Sequence, residues 1–340
     1  MKKQLEFQRS WELPPDWDRI DSLQETRKLA ECTLHLRGYA CQRRRDQKIV
    51  TGSWAGWEEP TLDKADYELH ERLALMQAMD QPDTRIWPLL DLKGEKIGFT
   101  RGAMLFPASP DPRVMQFAKS NGVALGTSFQ DAAHRAACEL IERHLVLASW
   151  YGAFQPQPCT MPLPLPLQSL QSLYEFRLYD FGSFELKGFG RIHGRGCFLW
   201  PLDPAHPVIY GFGAAPDAKE AMMKALAEAI QRLAFLDPIE CPEEEPVFAP
   251  TPDFHQEYFL RQERRVLLEA WLGGAASHPF GAVDICRSGE AQAVELSAEE
   301  GCPGHVVRVM LPGALPLVFG RFQPAAFPDL PERFWIHPLV

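Results

Sequence analysis

Three observations on the 340-residue chain predict an α+β fold. A few long segments carry small and apolar residues at helical spacing, and shorter strand-like segments lie between them at irregular intervals. No regular strand–helix–strand alternation runs through the sequence. Mixed sheets with long helices therefore fit better than a doubly wound parallel sheet. Hydrophobic residues make up 46% of the chain and charged residues 24%, a composition able to bury a large core.

From the N-terminus, residues 1–49 read as a segment of their own. They hold a helix over Asp21–Leu36, with Leu23, Leu29, Cys32 and Leu36 at loosely helical spacing, then a basic run from Cys41 to Lys48. Residues 50–340 read as one larger domain. Val50–Pro60 is a glycine- and aromatic-rich turn (Gly52, Trp54, Gly56, Trp57) that leads into a helix over about Leu62–Met79. Arg85–Leu92 and Lys96–Phe106 read as strands about a turn at Lys93, Gly94 and Glu95.

A second helix starts at Ser128, an N-cap with Asp131 in the capping-box position. Ala132, Ala133, Ala136, Ala137, Leu140 and Ile141 form its small-residue stripe. Five prolines make Gln155–Leu167 a loop or extended linker. Strands follow at Tyr174–Tyr179, Phe184–Phe189, Gly196–Trp200 and Pro207–Gly213. The last of these runs into a third helix capped by Asp217 with Glu220. Cys241–Pro252 is a second break, Glu257–Trp271 a helix, and Gly281–Cys286 and His305–Met310 strands. Phe319–Val340 is aromatic- and proline-rich with little regular structure.

The formal charge of −10 excludes the basic footprint of a general nucleic-acid binder. No apolar run reaches the roughly 18–20 residues of a membrane span, and no signal-peptide core follows Met1. The eight cysteines are scattered without C-x-x-C pairs, so neither a zinc framework nor a disulfide scaffold is expected. A cytoplasmic protein is the expectation. Neither a phosphate-loop motif nor a dinucleotide fingerprint occurs.

The chemistry is concentrated at the ends of the three helices. Glu68, Glu71 and Arg72 have the form E-x-x-E-R, and so do Glu139, Glu142 and Arg143; Glu228, Gln231 and Arg232 repeat it with one amide. Taken singly, each acid and its i,i+4 arginine is an exposed-helix pair worth about 0.2–0.5 kcal/mol. Three helices offering carboxylates to a common centre would repel unless cations lay between them. Magnesium, which takes oxygen ligands and is shared with substrate phosphates, is the usual answer.

In this order and with these leads the three helices resemble the YcaO family. The most specific matches are Ser120-x-Gly122-x-Ala124-x-Gly126-x-Ser128-x-x-Asp131-Ala132 with Glu139-Leu140-Ile141-Glu142-Arg143, Gly211-x-Gly213-Ala214-x-x-Asp217 with Glu228-x-x-Gln231-Arg232, and Gly304-x-x-x-Arg308-x-x-x-Pro312-Gly313. The resemblance implies a YcaO-like fold whose helices carry a carboxylate-lined site for ATP and Mg2+. It also implies ATP-dependent activation of backbone amides in a ribosomally made precursor peptide, forming thiazoline or oxazoline rings by cyclodehydration. Thioamide formation and a non-catalytic scaffold are the alternatives. The implied metal carboxylates are Glu68, Glu71, Glu139, Glu142 and Glu228; the implied nucleotide residues are Ser120, Thr127, Asp131, Arg143, Gln231 and Arg232. The implied partners are the precursor peptide and a leader-binding, E1-like protein of a synthetase complex, with a homodimer also open. Two departures stand out. The first glycine turn has no lysine, which leaves a basic contact to Arg44, Lys48 or Arg321. The tail holds His337 and Pro338 as the catalytic candidates in place of a P-x-P-x-P ending. His134 and His144 read as ordinary surface histidines.

Overall fold

The computed structural model describes residues 12–60, 64–273, 286–297, 304–321 and 336–340. Where a helix is expected over Asp21–Leu36, the chain instead forms a long hairpin, β1 (Trp17–Leu29) and β2 (Cys32–Arg43). The buried set Cys32, Leu34 and Leu36 has period two, a strand signal that the looser helical spacing concealed. The expected glycine turn after residue 50 is a strand, β3 (Ile49–Gly56), paired antiparallel to β2. Residues 17–43 thus share one three-stranded sheet with β3.

Then come α1 (Lys64–Met79), β4 (Ile86–Leu90), β5 (Lys96–Arg101), a single turn α2 (Gly102–Leu105), β6 (Met115–Phe117), β7 (Val123–Gly126) and the 22-residue α3 (Phe129–Trp150). The proline tract contributes a short strand, β8 (Gln157–Cys159), and one helical turn, α4 (Leu165–Gln168). Two expected strands merge into β9 (Tyr174–Leu186), which is followed by β10 (Gly190–Pro201), β11 (Ile209–Ala215) and α5 (Ala218–Leu236). The helix expected over Glu257–Trp271 is broken into α6 (Pro252–Leu260) and α7 (Arg265–Gly273). Arg261 takes an extended backbone at the break, and its buried guanidinium donates to the Glu243 carbonyl at 2.8 Å. β12 (Ser288–Gly289), β13 (Gln292–Glu295), β14 (His305–Met310) and β15 (Val318–Gly320) complete the described elements. The strand expected at Gly281–Cys286 lies, except for Cys286, outside the described residues.

Two five-stranded sheets flank the long helices: β5-β4-β13-β14-β7, and β11-β10-β9-β12 with β8 on β9. β15 and β6 form a separate two-stranded pair. What positions the site is the way helix and strand interleave. α1 packs between β3 and β7, α3 between β7 and β11, and α5 between β11 and β3. Close approach depends on missing side chains. A Cβ on Gly52 would lie 2.1 Å from the Ala65 carbonyl oxygen, and one on Gly211 would lie 2.3 Å from the Ala229 nitrogen. Alanines 221, 225 and 229 give α5 a flat face for that contact, and Ala132, Ala133, Ala136 and Ala137 do the same for α3. No described helix is long and apolar enough to cross a membrane.

Candidate functional site

Local sequence sets the helix starts as expected. Ser128 Oγ accepts the Asp131 N–H at 3.1 Å, and Asp217 Oδ1 accepts the Glu220 N–H at 2.8 Å. With its start fixed, each helix brings its acidic residues to a defined height against the neighbouring strands. There the carboxylates accept backbone N–H groups. Glu68 takes the N–H of Ser53 on β3 at 2.7 Å, Glu71 that of Leu125 on β7 at 2.9 Å, and Glu228 that of Phe212 on β11 at 2.7 Å. Glu139 takes the N–H of Gly122, just before β7, at 3.2 Å. The acids are therefore bonded across the interleaved frame rather than spread over a solvated face.

Their electrostatics record the crowding. Burial, then Glu139 and Glu68 nearby, push the Glu71 carboxyl up to about 8. Burial, then Glu228 and Glu139, push Glu142 up to about 8 as well. Glu139 and Glu228 are also raised, burial being the largest cause in each. Glu228 remains open to solvent on one side, but the surrounding protein leaves little water to stabilise its charge. Such a line of acids, short of counter-charge, fits a divalent cation. Its donors are carboxylate oxygens, suited to magnesium. Among the described residues no three acidic, histidine or cysteine side chains close on a point tightly enough to enclose an ion.

Two of the arginines balance this cluster directly. Arg72 pairs with Glu68 at 2.6 Å, and Arg143 with Glu139 at 2.7 Å. Both also line a cleft of about 550 Å³, walled by Met76, Phe117, Leu317 and Phe319 and edged by Lys119, Ser120 and Val340. Arg232 departs from the expected pair with Glu228: its guanidinium lies over the Tyr210 ring, 4.3 Å from the centroid. Gln231, half-buried, follows Glu228 on α5.

The structure does not gather every residue singled out in the sequence. Asp131 is taken up at the start of α3, accepting from Thr127 N at 2.9 Å and pairing with Arg135 at 3.1 Å. Eight residues of helix, about 12 Å, separate it from Glu139. Thr127 is exposed beside it. Among the basic residues expected to make up for the missing lysine, Arg44 is paired to Asp18 and Lys48 to Asp46, on the hairpin side. Arg321 sits over the Phe248 ring. His337 is fully buried, its Nε2 2.8 Å from the Val318 carbonyl oxygen and its own carbonyl accepting from His255 Nδ1 at 3.0 Å. Burial pushes its imidazole down to about 4, so the ring is neutral at pH 7. Of the tail, Val340 lines the cleft.

His144 is not the surface histidine expected from its spacing. It is buried, bonded through Nε2 to the Cys286 carbonyl at 2.7 Å and accepting the Leu315 N–H at Nδ1. Arg308 is a buried arginine close enough to Glu139 for each to shift the other. The sequence carried two signals for it: its place in the late Gly304–Gly313 motif and its standing as a lone arginine in an otherwise largely apolar strand.

The comparisons with known proteins agree with this frame. The family model described as "YcaO cyclodehydratase, ATP- and Mg2+-binding" matches residues 35–315. No curated protein matches the chain. Among solved structures, YcaO from Methanopyrus kandleri bound with AMPPCP and Mg2+ is similar at TM-score 0.55 and 16% identity, over 87% of this chain and 86% of that one. The E. coli microcin synthetase McbBCD complex with pro-MccB17 bound is similar at TM-score 0.53 and 12% identity, over 86% of this chain and 87% of that one. At such identities these likenesses are of fold.

Proposed function

Because the chain belongs to the YcaO cyclodehydratase family, with ATP and Mg2+ as its cofactors, we propose that it activates backbone amides of a ribosomally made precursor peptide. A cysteine, serine or threonine side chain of the peptide would add to the preceding carbonyl carbon, and the amide oxygen would leave as phosphate, so that the azoline ring forms and the peptide loses the elements of one water. The observation that supports this reading is the crowding of Glu71, Glu139, Glu142 and Glu228, with Glu68 beside Glu71, on three helices that are not consecutive in the fold, joined through Arg72 and Arg143 to a cleft of about 550 Å³.

In this reading the five carboxylates hold Mg2+. Bound ATP supplies the phosphoryl group that turns an amide oxygen into a leaving group. The chain's own work is positioning and charge balance, the main demands of phosphoryl transfer. Backbone N–H groups of Ser53, Gly122, Leu125 and Phe212 fix the carboxylates. Arg72 and Arg143, each tied to one acid of the cluster, stand at its border with the cleft and offset phosphate charge there. Ser120, Gln231 and Arg232 complete the nucleotide contacts, and Thr127 and Asp131 act by fixing the start of α3. The apolar walls of the cleft receive the peptide and exclude water from the activated amide. His337 and Pro338 hold the tail that puts Val340 in the cleft wall.

A leader-binding partner protein delivers the peptide. The test is mass spectrometry of a precursor incubated with the chain, its partner and Mg–ATP. About one water lost per modified residue, and none with Glu142→Ala, is expected. A mass gain corresponding to oxygen-to-sulfur exchange would replace ring closure by thioamide formation. Unchanged modification by Glu142→Ala would remove the carboxylate assignment.

A further inference from the structure

Lys119 and Arg308 lie side by side where the cleft wall meets the back of the acid cluster. Lys119 lines the cleft, and its ammonium donates to the Pro107 carbonyl. Arg308 is only 8% exposed. It donates through Nη1 to the Lys119 carbonyl, lies 5.0 Å from the Phe106 ring centroid, and leaves its Nε–H without an acceptor. Asp83 and Glu139 are near enough to favour their charges, but neither cation has an ion-pair partner among the described residues. The contrast with the rest of the wall is plain: Arg72 and Arg143 each hold a glutamate. Two neighbouring cations in a poorly hydrated wall repel, and a buried guanidinium N–H without an acceptor carries a desolvation cost. An anion held by the Lys119 ammonium at the cleft face relieves the repulsion, and Arg308, which does not line the cleft, favours it from behind by charge alone. The next residue, Ser120, also lines the cleft.

We propose that Lys119 and Ser120, with Arg308 behind them, form a site for a tetrahedral phosphate oxyanion at the border of the acid cluster. This site rests on the nucleotide reading above and extends it to residues outside the carboxylate helices. The phosphate has two sources, the terminal phosphate of the nucleotide or the inorganic phosphate that the reaction releases. An ammonium serves this chemistry as a movable point charge.

The test is calorimetric titration of the full chain with inorganic phosphate, with Mg–AMPPCP and with Mg–ADP, comparing Lys119→Met and Lys119→Arg with wild type. Lys119→Met is expected to weaken phosphate or AMPPCP binding about tenfold or more, and Lys119→Arg to restore most of it. A loss confined to AMPPCP, with ADP unchanged, assigns the site to the terminal phosphate; a loss confined to inorganic phosphate assigns it to the product. The proposal is overturned if Lys119→Met binds inorganic phosphate and AMPPCP as wild type does, or if wild type discriminates neither AMPPCP from ADP nor phosphate from chloride. Glu142→Gln separates the two readings. Undiminished Mg-dependent AMPPCP binding by that variant counts against the carboxylate assignment alone, and the phosphate titration of Lys119→Met still decides this site.

Discussion

Glu142→Gln exchanges a crowded carboxylate for an amide of the same shape, and two consequences of opposite sign follow. In the absence of Mg–nucleotide, wild-type Glu142 has its carboxyl raised to about 8 by burial and by Glu228 and Glu139. In the unfolded chain the group titrates near 4.5. A folded value above the unfolded one means that the folded state holds the proton more tightly. The associated stabilisation is complete below the unfolded value and is lost as pH rises through about 8. Between pH 7 and 9 that loss is at most about 1.4 kcal/mol, one pKa unit's worth, and solvent reaching the carboxylate reduces it. The glutamine cannot ionise and escapes it. Thermal melts of the free protein should show the variant gaining on wild type by up to about 3 °C from pH 7 to 9. Over the same range wild type should bind Mg–AMPPCP more tightly as pH rises, releasing protons on binding, because the carboxylates must ionise to hold the cation. The variant should bind far more weakly. A wild-type affinity flat between pH 6 and 9, together with a melting difference independent of pH, would refute the crowded-acid account.

Three further outcomes are expected. Gly211→Val places a side chain against the Ala229 nitrogen and the Ala225 carbonyl oxygen, backbone atoms that cannot rotate away; urea unfolding should show a loss of about 3 kcal/mol or more, and a loss under about 1 kcal/mol would contradict the close approach of α5 to β11. His337→Ala removes a buried ring bonded to Val318, so a loss of about 2–4 kcal/mol is expected, with faster amide exchange around β15; unchanged exchange there would show that the ring does not anchor the tail. Arg43 is buried between Asp46 and Asp80 and holds Asp46 down to about 2. A depressed carboxylate contributes stability that is present above its unfolded value of about 4 and lost as pH falls toward 2. Arg43→Met should flatten that acid limb in melts taken between pH 2 and 5, and an unaltered limb would count against the pair.

The helices and strands were legible to different degrees. The Ser128 and Asp217 caps and the strand at His305–Met310 stand where the sequence puts them. The first hairpin does not, because Leu23 and Leu29 suggested a helical period that Leu34, buried between Cys32 and Leu36, contradicts. Tyr174–Tyr179 and Phe184–Phe189 are expected as separate strands, yet Gly182 between them takes a positive φ of 83° without ending β9. In the site, the carboxylates were legible from their repeated spacing. Lys119 was not, because nothing in a single exposed-looking lysine reveals a buried guanidinium 189 residues away.

The sequence by itself determined which helix faces carry acid, where those helices start, and that three copies share one design. These follow from bonds spanning a few residues: a side-chain oxygen capping the N–H three positions on, and carboxylates three or four apart on one face. Only the tertiary structure decided what the acids meet. Glu71 reaches Leu125 because α1 packs on β7, and β7 is held in place by β14, about 180 residues further along the chain. Burial among distant elements raises the acids' affinity for protons, brings the locally paired Arg72 and Arg143 to the border of the cleft, and leaves Lys119 and Arg308 without an ion-pair partner among the described residues.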